Sequence, residues 1–169
     1  MRVLYVMRHA KSSWAETDLA DFDRPLNDRG QRDAPFMGNV MRDNGYVPDI
    51  ILSSPAVRAR ETARLVRQGG ELNSELASDD RIYEASPQTL RQVVSEINDK
   101  CPSAMLVGHN PGIEGFIRYL TGTLEPMPTA ALAVIELNAA SWSSVAANSG
   151  KVIKIIRPKD ELKSAQTIG

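Results

Sequence analysis

The chain contains two histidines, His9 and His109, and each lies just after a short apolar segment that is typical of a buried β-strand. Arg8 directly precedes His9, Arg58 lies soon after another apolar segment, and Glu84 follows a further short run. In open α/β sheets, ligands bind outside the carboxyl ends of the strands. We therefore expect these five side chains to meet in one pocket.

Two guanidiniums and two imidazoles in one pocket predict a site for phosphate or a similar oxyanion. A guanidinium matches a tetrahedral oxyanion with forked hydrogen bonds. An imidazole can attack phosphorus through one ring nitrogen if the other nitrogen is held as a hydrogen-bond donor. A second imidazole could stabilise the transferring oxygens, and a carboxyl group such as Glu84 could protonate the leaving group.

Two imidazoles and a carboxylate could instead form a metal site. Arg8 and Arg58 argue against a metal, because guanidiniums beside a divalent cation would be repelled unless an anion lay between them. We therefore expect no metal and no other cofactor. A module that binds phosphate without turning it over remains a second alternative.

The elements that must position these residues alternate along the chain. Apolar residues at spacings of three and four predict helices over Leu90–Ile97 and Ile113–Leu120. Because a parallel crossover needs a helix to carry the chain back, the pattern favours a three-layer α/β/α sandwich with a mostly parallel sheet. Short apolar runs bounded by turn formers predict strands over Val3–Met7, Ile50–Leu52, Ala104–Val107, Leu132–Leu137 and Val152–Ile156.

Three helix starts share a capping residue followed by a proline at the first helical position. We expect Ser54 and Asn110 to cap helices that begin at the carboxyl edge of the sheet, where the helix dipole favours an anion. The three pairs are Ser54-Pro55, Ser86-Pro87 and Asn110-Pro111.

An earlier helix has a proline within its apolar pattern. Because Pro35 removes a backbone donor, we expect a first turn near Asn27–Asp33, a kink, and then a helix that ends at Asn44-Gly45.

The composition fits one compact domain. The chain has 169 residues, of which 42% are hydrophobic and 24% charged. We interpret residues 1–158 as this domain and residues 159–169 as a frayed, polar C-terminal tail. Twenty Lys and Arg against 21 Asp and Glu give no electrostatic reason to expect a nucleic-acid partner.

Several absences point to the cytoplasm. No apolar run approaches the roughly 20 residues of a membrane-spanning helix, and the N-terminus has no secretory signal. The single cysteine, Cys101, fits a reducing compartment. We expect a cytoplasmic protein without a membrane partner.

Three motifs follow one another along the chain: Met7-Arg8-His9-Ala10, then Ser53-Ser54-Pro55-Ala56-Val57-Arg58-Ala59 with Thr62-Ala63, then Gly108-His109-Asn110-Pro111. In this order they resemble the signature of the histidine phosphatase superfamily, although Ala10 stands where the wider superfamily usually has glycine. Three further motifs are Asp23-Arg24-Pro25-Leu26 with Arg29-Gly30, Ile82-Tyr83-Glu84-Ala85, and Met127-Pro128-Thr129-Ala130. By these, the chain is similar to the small SixA-type phosphohistidine phosphatases within that superfamily.

The resemblance implies a phosphoglycerate mutase-like fold and assigns roles to the site residues. It implies that His9 is the nucleophile and becomes transiently phosphorylated, while Arg8, Arg58 and His109 hold the phosphoryl oxygens. Glu84 would be the proton donor. Arg24 could contact the phosphate or the substrate, or could instead pair with Asp21 or Asp23.

The expected substrate class follows from the resemblance and from the short length of chain that could form a lid over the site. Only 46 residues lie between Thr62 and His109, which leaves little chain for a lid. An open, shallow pocket suits a phosphorylated side chain presented by another protein, whereas small substrates gain more from enclosure. We expect a protein carrying phosphohistidine, with a small-molecule phosphomonoesterase as the alternative.

Overall fold

A computed structural model describes the backbone of residues 1–168 and the side chains of residues 1–163. Within this range the chain forms six strands and five α-helices. The strands are β1 (Arg2–Arg8), β2 (Ile50–Ser53), β3 (Glu75–Ser78), β4 (Ser103–Gly108), β5 (Leu132–Leu137) and β6 (Gly150–Ile156). The helices are α1 (Asp28–Asp43), α2 (Val57–Gly69), α3 (Pro87–Ser95), α4 (Gly112–Thr121) and α5 (Pro158–Ile168).

The strands form one mostly parallel sheet in the order β3-β2-β4-β1-β5-β6. The pairs β3 with β2, β2 with β4, and β4 with β1 are parallel, whereas β5 is antiparallel to both β1 and β6. The predicted fold class is therefore confirmed.

Alternate residues of β1 face opposite sides of the sheet, as the strand period of two requires. Leu4 and Val6 pack in a core cluster with α3 and α4, whereas Tyr5 and Met7 pack in a second cluster with α1 and α2. The helices thus cover both faces of the sheet. The central strands are buried on both sides, which explains why their sequences are continuously apolar.

The strand β3 is absent from the sequence prediction. Its residues Glu75–Ser78 are mostly exposed, because β3 is an edge strand that pairs only with β2 in the sheet. An exposed edge needs no apolar run, so the segment lacks the signal by which the other five strands are recognised.

The prediction that each of the three serine or asparagine residues caps a helix is correct only for Ser86. The Ser86 side chain accepts a hydrogen bond from Thr89 N, with Pro87 at the start of α3. The helix α2 begins at Val57 and α4 at Gly112, and neither has a side-chain cap. The predictions for Ser54 and Asn110 are wrong because α2 and α4 begin later in the chain: the Ser54 hydroxyl accepts from Ala56 N and contacts His109, and Asn110 donates to the Met127 carbonyl.

The helix α1 is continuous from Asp28 to Asp43 with Pro35 inside it, so the predicted separate first turn is wrong. Asn27 caps this helix by accepting a hydrogen bond from Gly30 N, and the chain leaves it through Gly45 at φ +74°. The buried face of α1 packs against α2, and this tertiary packing outweighs the hydrogen bond that Pro35 removes.

The segment predicted as a frayed tail is helical over Pro158–Ile168, and Gly169 lies outside the described residues. The start of α5 has favourable helix chemistry, with Pro158 in the first position and Asp160 and Glu161 in the first turn. No helix within residues 1–168 is long and apolar enough to cross a membrane.

We expect Gly38→Ala to lower the free energy of unfolding by roughly 1–3 kcal/mol, because an added methyl group overpacks the contact between two helices. A Cβ atom at Gly38 in α1 would overlap the carbonyl oxygen of Val66 in α2. Urea unfolding would measure the loss. Asn39→Ala, at the exposed neighbouring position, is the control and should change little; equal stability of wild type and Gly38→Ala would contradict the close packing.

Candidate active site

One ring nitrogen of His9 is hydrogen-bonded to the backbone, and the other faces Arg58. His9 follows β1 and is only 7% exposed. Its Nδ1 lies 2.7 Å from the Ala10 carbonyl oxygen; since a carbonyl can only accept, Nδ1 carries the proton. The Nε2 atom is then unprotonated, and its lone pair accepts from Arg58 Nε at 3.4 Å. This is the tautomer that a nucleophilic Nε2 requires.

His109 lies beside His9, with ring centroids 5.1 Å apart. Its Nδ1 is 3.3 Å from Arg58 Nη2, and its Nε2 is 2.8 Å from the hydroxyl oxygen of Ser54. Because a guanidinium can only donate, Nδ1 accepts and Nε2–H donates to Ser54. Ser54 is fully buried and fixes the orientation of His109, a role that the cap interpretation missed.

Arg58 is the link between the two imidazoles. Its side chain is almost completely buried, and Nε and Nη2 face His9 and His109 respectively. The opposite end of the guanidinium bonds to Asp21, whose backbone oxygen accepts from Nη1 at 2.6 Å and whose Oδ2 accepts from Nη2 at 2.9 Å. The sequence predicted that Arg58 would join the histidines, and the structure brings them together.

Arg8 lies beside both histidines, since it precedes His9 at the end of β1 and pairs with Gly108, which precedes His109. Its charge therefore lowers the pKa of both imidazoles. Its Nη1 donates to the Met127 carbonyl oxygen at 3.2 Å. Its Nε is buried and has no hydrogen-bond partner within the described part of the chain. A buried donor without a partner is costly, so Arg8 retains capacity to bind an anion.

Burial and neighbouring charge keep both imidazoles neutral. Burial is the main cause that lowers the pKa of His9 to about 3, and the charges of Arg58 and Arg8 add to it. Burial and then Arg58 lower the pKa of His109 to about 4. At neutral pH the pair is uncharged, which leaves the lone pair of His9 available.

Glu84 lies at the mouth of the site. With Arg58 and His109 it lines a cavity of about 570 Å³. Glu84, Ser86 and Asp21, which also line this cavity, are exposed, so the cavity opens to solvent on this side. The structure thus brings Glu84 to the same cavity as Arg58 and His109, at its rim.

Arg24 is engaged in the loop that precedes α1. It donates to Ser12 Oγ at 2.8 Å, to the Ser13 carbonyl and to Asp21 Oδ1, and its guanidinium lies 3.5 Å from the ring centroid of Trp14. Of the two roles that the sequence left open, the structure contains the pairing with Asp21.

Asp21 contacts Arg58, and the sequence interpretation did not place it in the site. Its segment, the short 3-10 turn Asp21–Asp23, has no apolar periodicity that would predict its position. The nearby motif Asp23-Arg24-Pro25-Leu26 is part of the family resemblance, but it does not indicate a contact between Asp21 and Arg58.

Within the described residues, no group of three or more His, Cys, Asp or Glu side chains is arranged to hold a metal ion. The chemistry that the arrangement can perform is the binding of a tetrahedral oxyanion between Arg58, Arg8 and the two imidazoles, with Nε2 of His9 as a nucleophile.

Comparisons with known proteins find a family model and similar sequences. The family model for the histidine phosphatase superfamily (branch 1) matches residues 4–110. An uncharacterised protein of Mycobacterium leprae is 31% identical over 166 residues, which cover 90% of this chain and 100% of the relative.

Two solved structures have the same fold. A protein assigned as the phosphohistidine phosphatase SixA from Agrobacterium tumefaciens is 29% identical, with a TM-score of 0.80 over 93% of this chain and 98% of that one. The protein histidine phosphatase SixA complexed with tungstate has a TM-score of 0.81 at 20% identity, over 94% and 99% of the two chains.

The stability of the protein should decrease on acidification between pH 6.5 and 5. The folded-state pKa values of about 3 and 4 lie below the ordinary histidine value of 6.5, so the unfolded chain binds protons that the folded chain does not. Each histidine then contributes a loss of up to about 1.4 kcal/mol per pH unit. Urea unfolding at several pH values would measure the slope.

The control is His109→Asn, which removes one of the two histidines of the chain and should give about half the slope. A free energy of unfolding that stays constant from pH 6.5 to 5 would contradict the lowered pKa values.

Proposed function

The chain belongs to the histidine phosphatase superfamily, and from this membership we propose that it is a phosphatase that hydrolyses phosphohistidine on a protein substrate. In this proposal His9 carries the phosphoryl group as a covalent intermediate. The observation that carries it is the unprotonated Nε2 of His9. The Nδ1 of this ring is bonded to the Ala10 carbonyl, and its Nε2 accepts from Arg58 next to His109.

The first step is the transfer of the phosphoryl group to His9. The lone pair of Nε2 attacks phosphorus while the bond from phosphorus to the substrate nitrogen breaks, and its electrons return to the substrate imidazole. If that imidazole carries a proton on its other nitrogen, it leaves as a neutral ring. The N–H groups of Arg58 and Arg8 hold the phosphoryl oxygens and stabilise their charge.

In the second step, water attacks phosphorus while the bond to Nε2 of His9 breaks and its electrons return to the ring. The products are the neutral imidazole, still protonated on Nδ1, and inorganic phosphate, which keeps the protons of the water. His109 is placed to interact with the same oxygens. The arrival of an anion would raise the pKa of His109 from its low value, because an opposite charge favours the protonated form. A protonated His109 would then donate through Nδ1 to a phosphoryl oxygen.

The choice of a protein substrate is supported by the open side of the cavity, which exposed residues line. A phosphorylated side chain on another protein can reach such a site without a lid that closes over it. The assignment of the Agrobacterium tumefaciens neighbour as a phosphohistidine phosphatase supports the same substrate class. We place this activity in the cytoplasm, where the single thiol of Cys101 would stay reduced.

Incubation with a radiolabelled phosphohistidine protein should give wild type an acid-labile label, because the bond between phosphorus and an imidazole nitrogen hydrolyses in acid. His9→Ala should acquire none, since it lacks the nucleophile. Quenched-flow trapping of the labelled chain would measure it. The same label and turnover should persist in excess chelator.

An equal label in His9→Ala would contradict the covalent role of His9, and activity that returns only with added metal would contradict the metal-independent reaction. A small phosphate ester turned over faster than the phosphohistidine protein would favour the small-molecule alternative.

We expect Glu84→Gln to affect two substrates differently. A protonated phosphoimidazole already has a good leaving group, so its kcat/KM should fall by less than about threefold, whereas an alkyl phosphate that needs a proton donor should lose about 100-fold or more. Steady-state assays of both substrates would measure the losses. Ser86→Thr, which changes another exposed residue of the same rim but keeps the hydroxyl that caps α3, is the control; equal losses on both substrates would contradict the role of Glu84.

A further inference from the structure

We propose that Asp21 is a positioning residue that orients the guanidinium of Arg58 for phosphoryl binding. This inference rests on the proposed function, since it concerns the same oxyanion site. Asp21 acts through Arg58 and does not touch the phosphoryl group.

A guanidinium has two usable edges, and Asp21 occupies one of them. The Asp21 backbone oxygen accepts from Nη1 at 2.6 Å, and Oδ2 accepts from Nη2 at 2.9 Å. These two acceptors fix the Nη1/Nη2 end of the fork. The remaining edge, formed by Nε and the other hydrogen of Nη2, faces the histidines at 3.4 Å from His9 and 3.3 Å from His109.

The Nε/Nη2 edge of Arg58 therefore faces the place where a phosphoryl group on Nε2 of His9 would lie. The long Arg58 side chain has several rotatable bonds and could present either edge to this place. The two Asp21 acceptors hold the Nη1/Nη2 end of Arg58 and remove that freedom before the substrate arrives. The N–H groups that face the histidines are therefore preorganised.

Asp21 can do this because other side chains hold it in turn. The Tyr83 hydroxyl donates to Oδ2 at 2.7 Å, and Arg24 donates to Oδ1 through Nε and Nη2. Arg24 is itself anchored by Ser12 and by the ring of Trp14. Oδ1 and Oδ2 thus accept two hydrogen bonds each, so the carboxylate has little capacity left for the substrate.

The charge state of Asp21 fits this role. Burial would raise its pKa, but hydrogen bonds from Tyr83 and Arg58 outweigh burial and lower the pKa to about 2. The carboxylate is therefore ionised at neutral pH and is not a proton donor. The same contact raises the pKa of Tyr83 to about 12, so its hydroxyl remains a donor.

A carboxylate near an anion site could instead compete with the substrate for Arg58. Competition would require Asp21 to accept from the N–H groups of Arg58 that face His9 and His109. Asp21 instead accepts from the Nη1/Nη2 end of the guanidinium. The two roles predict opposite changes in anion affinity when the Asp21 carboxylate is removed. Loss of a competing negative charge strengthens anion binding, whereas loss of a positioning group weakens it.

The test is the dissociation constant of tungstate, measured by calorimetry on wild type and on Asp21→Asn. We expect Asp21→Asn to weaken tungstate binding by about tenfold, the scale of one charge-assisted hydrogen bond. Asp23→Asn is the matched control: it removes the same charge from an exposed residue of the same turn and should change the constant by less than about twofold.

The same substitution in an Arg58→Lys background separates positioning from general damage. A lysine has no second edge to orient, so Asp21→Asn should there leave tungstate binding unchanged or strengthen it. Thermal unfolding of each variant would establish that it is folded. Unchanged or tighter binding in Asp21→Asn alone, or an equal weakening in both backgrounds, would overturn the proposal.

Failure of the proposed function would look different. Tungstate binding needs no turnover, so the effect of Asp21→Asn can be measured even on a chain that hydrolyses no phosphohistidine. If wild type binds tungstate and hydrolyses a phosphohistidine protein, Asp21→Asn should lower kcat/KM on that protein. If wild type binds tungstate without turnover, the proposed function fails while the binding comparison still decides the role of Asp21.

Discussion

Three guanidiniums and two imidazoles share one edge of the sheet, so the site must limit the repulsion among its own cations before it can bind an anion. Charges a few ångströms apart in a partly buried site interact strongly. The structure meets this constraint in two ways: burial keeps His9 and His109 neutral, and the Asp21 carboxylate bonds to both Arg24 and Arg58. The remaining positive charge is then available for a phosphoryl group.

The sheet brings the two histidines together although they are far apart in the sequence. The strands β1 and β4 are parallel neighbours in which Arg8 pairs with Gly108, so the next residues, His9 and His109, leave the sheet side by side. The backbone N of His9 donates to the Gly108 carbonyl and continues this register. The strand β2 lies on the other side of β4 and delivers Ser54 and Arg58 to the same edge.

Strand-end reasoning predicts the parts of the site that depend on backbone register. His9, His109 and Arg58 could be placed because parallel strands align their carboxyl ends, and apolar runs identify buried strands well. The same reasoning misses β3, whose exposed edge has no apolar signal. The errors at Ser54 and Asn110 have another cause: a local pattern predicts a helix cap, but each helix begins later, and each side chain also bonds to a residue distant in the sequence.

Side chains in the loop before α1 were the hardest to predict. Asp21, Arg24 and Trp14 form a connected set of contacts, yet the loop has neither strand nor helix periodicity that would fix their directions. Only the folded chain shows that Asp21 reaches Arg58. The sequence therefore predicts which groups carry the chemistry better than it predicts the groups that orient them.

The protonation state of the two imidazoles is the most direct measure of this arrangement, and nitrogen-15 NMR of the histidine rings reports it. At neutral pH without ligand, we expect His9 to be neutral with its proton on Nδ1 and His109 to be neutral with its proton on Nε2. Tungstate should shift His109 towards the charged form. A charged ring in the free protein at pH 7, or a proton on Nε2 of His9, would contradict the account.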